Sequence, residues 1–141
     1  MELLPALAIS ASGLTAERLR LDLIANNLAN INTTRTPRGG PYRRQVPVFA
    51  EKLREALGQS PDQAPGRGVE VAAIVEDNTP PRLVYDPSHP DADPDGYVAL
   101  PNINIVNEMV DMITATRAYE ANVTVLNAAK AMTMKALEIG R

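Results

Sequence analysis

Leucine recurs at intervals of seven near the start of the chain, at Leu7, Leu14, Leu21 and Leu28. Leu4, Ala11 and Ala25 occupy the position three before a leucine, with Arg18 the exception, and Ile24 and Ile31 extend the stripe. This spacing predicts an amphipathic helix from about residue 6 to about residue 32, with coiled-coil character. At 1.5 Å per residue it is roughly 40 Å long. Gly13 weakens it locally, by about 1 kcal/mol relative to Ala.

The other end follows the same rule. Ile105, Met109, Met112, Thr116, Tyr119, Val123, Leu126, Lys130, Thr133 and Leu137 step by alternating four and three, and Ile113, Ala129 and Met134 widen the stripe. A second helix is predicted from about 104 to 139. Asn104 is a natural N-cap, Glu108 and Asp111 lie near the positive end of the helix dipole, and Gly140 is a natural stop. Lys130, Lys135 and Arg141 fall near the negative end.

Between the two helices the pattern changes. Nine of the twelve prolines lie from Pro37 to Pro90. The stretch from Val69 to Asp77, and the shorter runs Arg82–Pro87 and Gly96–Leu100, predict strands of a small antiparallel patch. Pro47–Leu57 reads either as a short helix or as the end of a strand, and Gly58–Gly68 as a mobile loop. The fold class is therefore mainly α with a small β part. Long N- and C-terminal helices pair as an antiparallel coiled coil, joined by a Pro/Gly-rich middle with short β-strands. The expected regions are 1–34, 35–101 and 102–141.

Composition narrows the function. One Phe, four Tyr and no Trp leave an apolar content of small aliphatics, which suits close helix packing. A net charge of −3 gives little support to a nucleic-acid surface, and the only basic cluster is Arg35, Arg38, Arg43 and Arg44. The absence of cysteine excludes disulfides and thiolate metal sites. No run is apolar and long enough to span a bilayer. The opening MELLPALAISASG lacks the positive start of a cleaved signal, since Glu2 is acidic and the first basic residue is Arg18.

Three segments carry a family likeness: NNLANINTTRTPRGGPYRR followed by PVFAE, then VEDNTPPRLVYDPSHPDADPDGYVALPNINIVNEMVDM, and the tail ITATRAYEANVTVLNAAKAM. Together they cover nearly the whole chain and resemble the bacterial flagellar basal-body rod proteins, in particular the members of the proximal rod. The resemblance implies a non-catalytic, cofactor-free structural subunit, exported without a cleaved signal through the flagellar type III apparatus. It implies assembly into a helical rod in the periplasm, with terminal helices packed beside those of neighbours to form a drive shaft around the export channel. The implied partners are copies of the chain, other rod subunits, the rod-base adaptor protein and the export apparatus, with no nucleic acid and no direct membrane insertion. The loop GQSPDQAPGRG departs from the likeness.

Under that expectation, Leu7, Leu14, Leu21, Ile24, Leu28, Ile31, Met109, Ile113, Tyr119, Val123, Leu126 and Leu137 are the packing and assembly positions. Asn26, Asn27, Asn30 and Asn32 suit a helix that meets several others, because an amide both donates and accepts and can fix register. The alternative for Asn30 and Asn32 is that they end the helix. Arg35, Arg43 and Arg44, with the amides, are candidates for polar contacts between subunits. Within the chain, Glu76, Asp77 and Asp86 are candidate partners for the arginines.

Other features point nowhere catalytic. Asp91–Gly96 matches half of a calcium loop, but the twelfth position is Asn102, where a bidentate Glu is needed. A turn is the better reading. His89, the single histidine, sits between Ser88 and Pro90 as a turn residue. The sequons at Asn32 and Asn122 fall on or beside predicted helices, and Met109, Met112, Met132 and Met134 read as adaptable packing. An enzyme is disfavoured because no nucleophile, acid–base pair or phosphate loop appears. A soluble coiled-coil adaptor calls for more charge beside the C-terminal stripe.

Overall fold

The computed structural model describes residues 3–52 and 68–140. The expected loop Gly58–Gly68, Gly68 apart, and the Leu53–Leu57 end of the ambiguous segment lie outside the described residues. The elements are α1 (Leu3–Ala29), β1 (Gln45–Glu51), β2 (Val69–Glu76), β3 (Arg82–Tyr85), β4 (Tyr97–Leu100) and α2 (Ile105–Ile139). The chain is two long helices with short antiparallel strands.

α1 ends three residues before the predicted limit. Its last turn closes with the Asn30 N–H on Asn26 O at 3.1 Å, and the Asn30 side chain donates to the same carbonyl at 2.9 Å. Asn30, Ile31 and Asn32 then form a turn. The amide side chain adds a second hydrogen bond to a carbonyl of the last turn, the local side-chain-to-backbone pairing that suits asparagine to a helix end. α2 starts at the expected cap, where Asn104 Oδ1 accepts from Val106 N at 2.9 Å and Asn107 N at 3.3 Å. Gly140 ends it at φ −83°, without the left-handed geometry common at such sites.

The two helices pack antiparallel. Asn27 meets Glu108, Arg20 approaches Asp111, and Gly13 lies against Asn122. The predicted heptad leucines do not fill this seam. Leu7, Leu14, Leu21 and Leu28 are half-buried, whereas Ser10, Gly13, Ala16 and Asn27 on α1 and Glu108, Ala115 and Ala129 on α2 are buried. Small residues let the backbones approach closely, and a Cβ on Gly13 would lie 2.9 Å from Asn122 Nδ2. α1 has a second partner, the β1–β2 sheet, so its apolar surface is divided between α2 and the strands. Leu23 and Ile24 are its buried large side chains.

The strands form two separate two-stranded sheets rather than one patch. β1 pairs with β2 from Gln45 opposite Glu76 to Glu51 opposite Val69, with a bulge at Ala72 where Val48 gives way to Phe49. β3 pairs with β4 from Arg82 opposite Leu100 to Tyr85 opposite Tyr97. Among the described residues the β3–β4 sheet stands apart from both helices and from the first sheet. It is tied to the α1–β1 connection through Asp91, which accepts from Thr34 Oγ1 at 2.7 Å and pairs with Arg35.

α1 crosses the first sheet diagonally. Its Ser12 Oγ accepts from Val69 N at 3.1 Å at one end, and its Asn27 reaches Gln45 at the other. Fifteen helical residues rise about 22 Å, and the six steps of β1 span about 20 Å, so the helix matches the strand in length.

Candidate assembly site

Asn27 is the centre of a buried polar junction, with 1 % of its surface exposed. Its Nδ2 donates to Gln45 O at 2.9 Å, and its Oδ1 accepts from Gln45 N at 2.9 Å. The bond from Asp77 N to Arg44 O makes those two residues a hydrogen-bonded pair. By the alternation of an antiparallel ladder, the backbone groups of the next residue, Gln45, point away from β2. The Asn27 amide therefore stands in for a neighbouring strand and closes the edge of β1. One step on, Pro47 has no N–H to offer at the same edge.

The junction extends into α2. Asn27 Nδ2 also reaches Glu108 Oε2 at 3.3 Å, and Glu108 is likewise 1 % exposed. Arg44 Nε pairs with Glu108 Oε1, and its NH2 donates to Asp111 Oδ2 at 3.3 Å. Tyr42 Oη donates to Asn27 Oδ1 at 3.0 Å. Burial raises the Tyr42 pKa above its ordinary 10.0, and the negative charges of Glu108 and Glu76 push in the same direction. One cluster thus fixes the end of α1, the start of β1 and the start of α2.

The other expected polar residues divide between the chain and solvent. Asn26 and Asn32 are exposed, and Asn30 is spent on the helix end. Arg35 pairs with Asp91, Arg38 with Glu76 at 2.8 Å, and Arg43 donates to Asn78 Oδ1 at 2.9 Å. Of the three expected acidic partners, Glu76 engages an arginine side chain. Asp77 accepts from Thr79 and Asp86 from Ser88, and these hydrogen bonds hold both carboxyls below the ordinary value. Asn27 and Arg44, named above for contacts between subunits, are engaged within the chain. Polar atoms drawn out of water take the partners that the fold brings to them.

The apolar positions separate by exposure. On α2, Met109, Ile113 and Leu137 are exposed, together with Ile105, Val106, Val110, Val125, Met132, Met134 and Ile139. Tyr119, Val123 and Leu126 are half-buried, as is Ile31 in the turn after α1. So much apolar surface along a single helix is the mark of a contact surface. The chemistry-bearing candidates form turns. Asp93 Oδ1 accepts from Asp95 N at 3.1 Å and Tyr97 N at 2.8 Å, and His89 Nδ1 accepts from Asp91 N at 3.0 Å. Among the described residues no cluster of three His, Cys, Asp or Glu side chains is placed to hold a metal, and no helix is long and apolar enough to cross a membrane.

The profile of the family described as "Flagella basal body rod protein" matches residues 7–35, and that of "Flagellar basal body rod FlgEFG protein C-terminal" matches residues 95–139. The chain is 50 % identical to the flagellar basal-body rod protein FlgC of Borreliella burgdorferi, over 99 % of this chain and 98 % of the relative. The chain belongs to the FlgC family of flagellar basal-body rod proteins. It is 46 % identical to FlgC of Bacillus subtilis, over 96 % of this chain and 97 % of the relative. Against FlgC of Salmonella typhimurium the identity is 43 % over the full length of both. Membership makes this chain a structural protein of the flagellar basal-body rod and of cell motility, not an enzyme. The two profile matches fall on α1 with the following turn, and on β4 with α2. Both segments meet at the Asn27–Glu108 junction.

Sequence reasoning missed Glu108 and Tyr42 as members of that junction. Glu108 reads as an ordinary first-turn acid on α2, and only its fourth-residue spacing from the cap marks it. Tyr42 carries no local signal at all.

Proposed function

We propose that this protein is a subunit of the proximal rod, assembling through its terminal helices into the helical shaft that transmits torque and encloses the export channel. The observation that carries the reading is the exposed aliphatic surface of α2, from Ile105 to Ile139, on a helix that also packs on α1 along the line of Glu108, Ala115 and Ala129. Water leaves such a surface unsatisfied, and burying it against sister helices stabilises an assembly by roughly 25 cal/mol per Å² of apolar area. In this reading Met109, Ile113 and Leu137 face neighbouring subunits, while residues 1–34 and 102–141 form the axial core and residues 35–101 the outer part. The exposed Asn26, Asn32 and Arg43 supply polar contacts between subunits. The partners are copies of this chain, the other rod subunits, the rod-base adaptor and the export apparatus. The site of action is the rod in the periplasm.

Deletion of residues 1–30 or 110–141, with motility and secretion measured side by side, tests the reading. Loss of swimming is expected for both. Secretion of a deletion variant that fails to assemble places the defect in the rod. Full motility after either deletion overturns the proposal.

A further inference from the structure

Three of the four strands have a partner or a block at one point of the outer edge. On β1 the edge is closed by Asn27 at Gln45 and blunted by Pro47. On β2, Ser12 takes the outward N–H of Val69. On β4, Asp93 accepts the Tyr97 N–H through Oδ1 and donates its own N–H to Tyr97 O at 2.9 Å. β3 has no such cover among the described residues. The bond from Asp86 N to Gly96 O at 2.9 Å sets the ladder parity, so the backbone groups of Leu83 and Tyr85 point away from β4. Among the described residues no hydrogen bond reaches them. Leu83 is 63 % and Tyr85 65 % exposed.

The sequence around this edge is chemically symmetric. Pro81-Arg82-Leu83-Val84-Tyr85-Asp86-Pro87 reads the same way from both ends about Val84: proline, charge, large apolar, then the central valine. Laid antiparallel against itself about Val84, Leu83 opposes Tyr85 and exchanges both backbone hydrogen bonds with it, twice over. Arg82 opposes Asp86 at each end, an opposite-charge cross-strand pair. Arg82 has no salt bridge among the described residues. Asp86 uses Oδ1 for Ser88 N and Oγ, which leaves Oδ2 for a guanidinium. Beyond these pairs Pro81 opposes Pro87, and neither has an N–H, so the ladder stops after five residues on both sides.

We propose that the β3 edge docks on the β3 edge of a second copy, forming a two-fold dimer of the unassembled chain that joins the two β3–β4 sheets into one four-stranded sheet. The contact is isologous and closes on itself, so it yields pairs and not a filament. It covers an edge open to uncontrolled strand pairing before the chain enters its final assembly.

The test uses the purified full-length chain, which has no cysteine of its own. Val84 faces its own counterpart at a non-hydrogen-bonded position, where the Cα atoms lie about 4.5 Å apart, within disulfide range. Val84→Cys is expected to give a disulfide-linked dimer on mild oxidation, and Leu83→Cys, whose counterpart is Tyr85, to give little. Adding Arg82→Asp to Val84→Cys lowers the dimer yield about tenfold, and adding Arg82→Asp with Asp86→Arg restores it. Unchanged circular dichroism verifies that each variant is folded. Equal crosslinking of Val84→Cys and Leu83→Cys overturns the proposal, as does indifference to Arg82→Asp. These readings use the isolated chain, so they stand or fall separately from the rod assignment, which motility decides.

Discussion

Asn27 pairs with both backbone groups of Gln45, accepts from Tyr42 and donates to Glu108. Asn27→Ala strips partners from a β1 edge held against α1, and leaves the Glu108 carboxylate with one donor fewer. The expected loss is about 2–3 kcal/mol, at 1–3 kcal/mol for each buried group left unsatisfied. Urea unfolding measures it, and a loss under about 0.5 kcal/mol, the range of ordinary surface substitutions, contradicts the role. Tyr42 gives the junction a pH dependence. Its folded pKa lies above the unfolded 10.0, so its contribution is present in full below pH 10 and is lost as pH rises through the folded value. Ultraviolet titration is expected to show a phenol that ionises above pH 10, and Tyr42→Phe to remove that step.

At the level of elements, the junction between α1 and β2 depends on a single glycine. Gly68 has φ +114°, and a Cβ there would collide with Ser12 Oγ. Ser12 holds its place by donating to Ile9 O at 2.6 Å and accepting from Val69 N. Gly68→Ala therefore meets both strain and collision, and the strain alone costs on the order of 1–3 kcal/mol. Adding Ser12→Ala removes the Oγ collision, but the Cβ of residue 12 stays 3.0 Å from the new methyl, the Val69 N–H loses its acceptor and the strain remains, so the double variant is expected to recover only part of the thermal stability lost. Full recovery means that backbone conformation matters little here. The α1–α2 contact rests on the same economy of size, with Gly13, Ala16, Ala115 and Ala129 in the seam that the heptad assigns to leucines.

For the whole molecule, the exposed apolar surface of α2 is the part on which the proposed assembly would act. Met109 is 54 % exposed, so Met109→Asp leaves the monomer's packing nearly untouched and costs within about 0.5 kcal/mol of fold stability. In the proposed rod the same carboxylate would meet a dry helix surface, where an unpaired charge is strongly unfavourable. The expected outcome is a folded, secreted, non-motile variant. Wild-type swimming removes α2's outer face from the assembly surface.

Local chemistry settled much of this fold from the sequence alone. Asn104 caps α2 because its side chain answers N–H groups two and three residues away, and such short-range pairing depends on nothing distant. The strands at Val69–Glu76, Arg82–Tyr85 and Tyr97–Leu100 follow in the same way from β-branched and aromatic runs bounded by turns. The palindrome about Val84 is in the sequence as well, though its meaning depends on which backbone groups face outward. Tertiary structure alone decided which helix face is the seam, because α1 is shared between α2 and a sheet and a stripe of leucines cannot announce two partners. It also decided that Asn27 turns inward to Gln45 and Glu108, residues 18 and 81 positions away. An amide's partner is whatever the chain brings within about 3 Å of it, and periodicity carries no record of that.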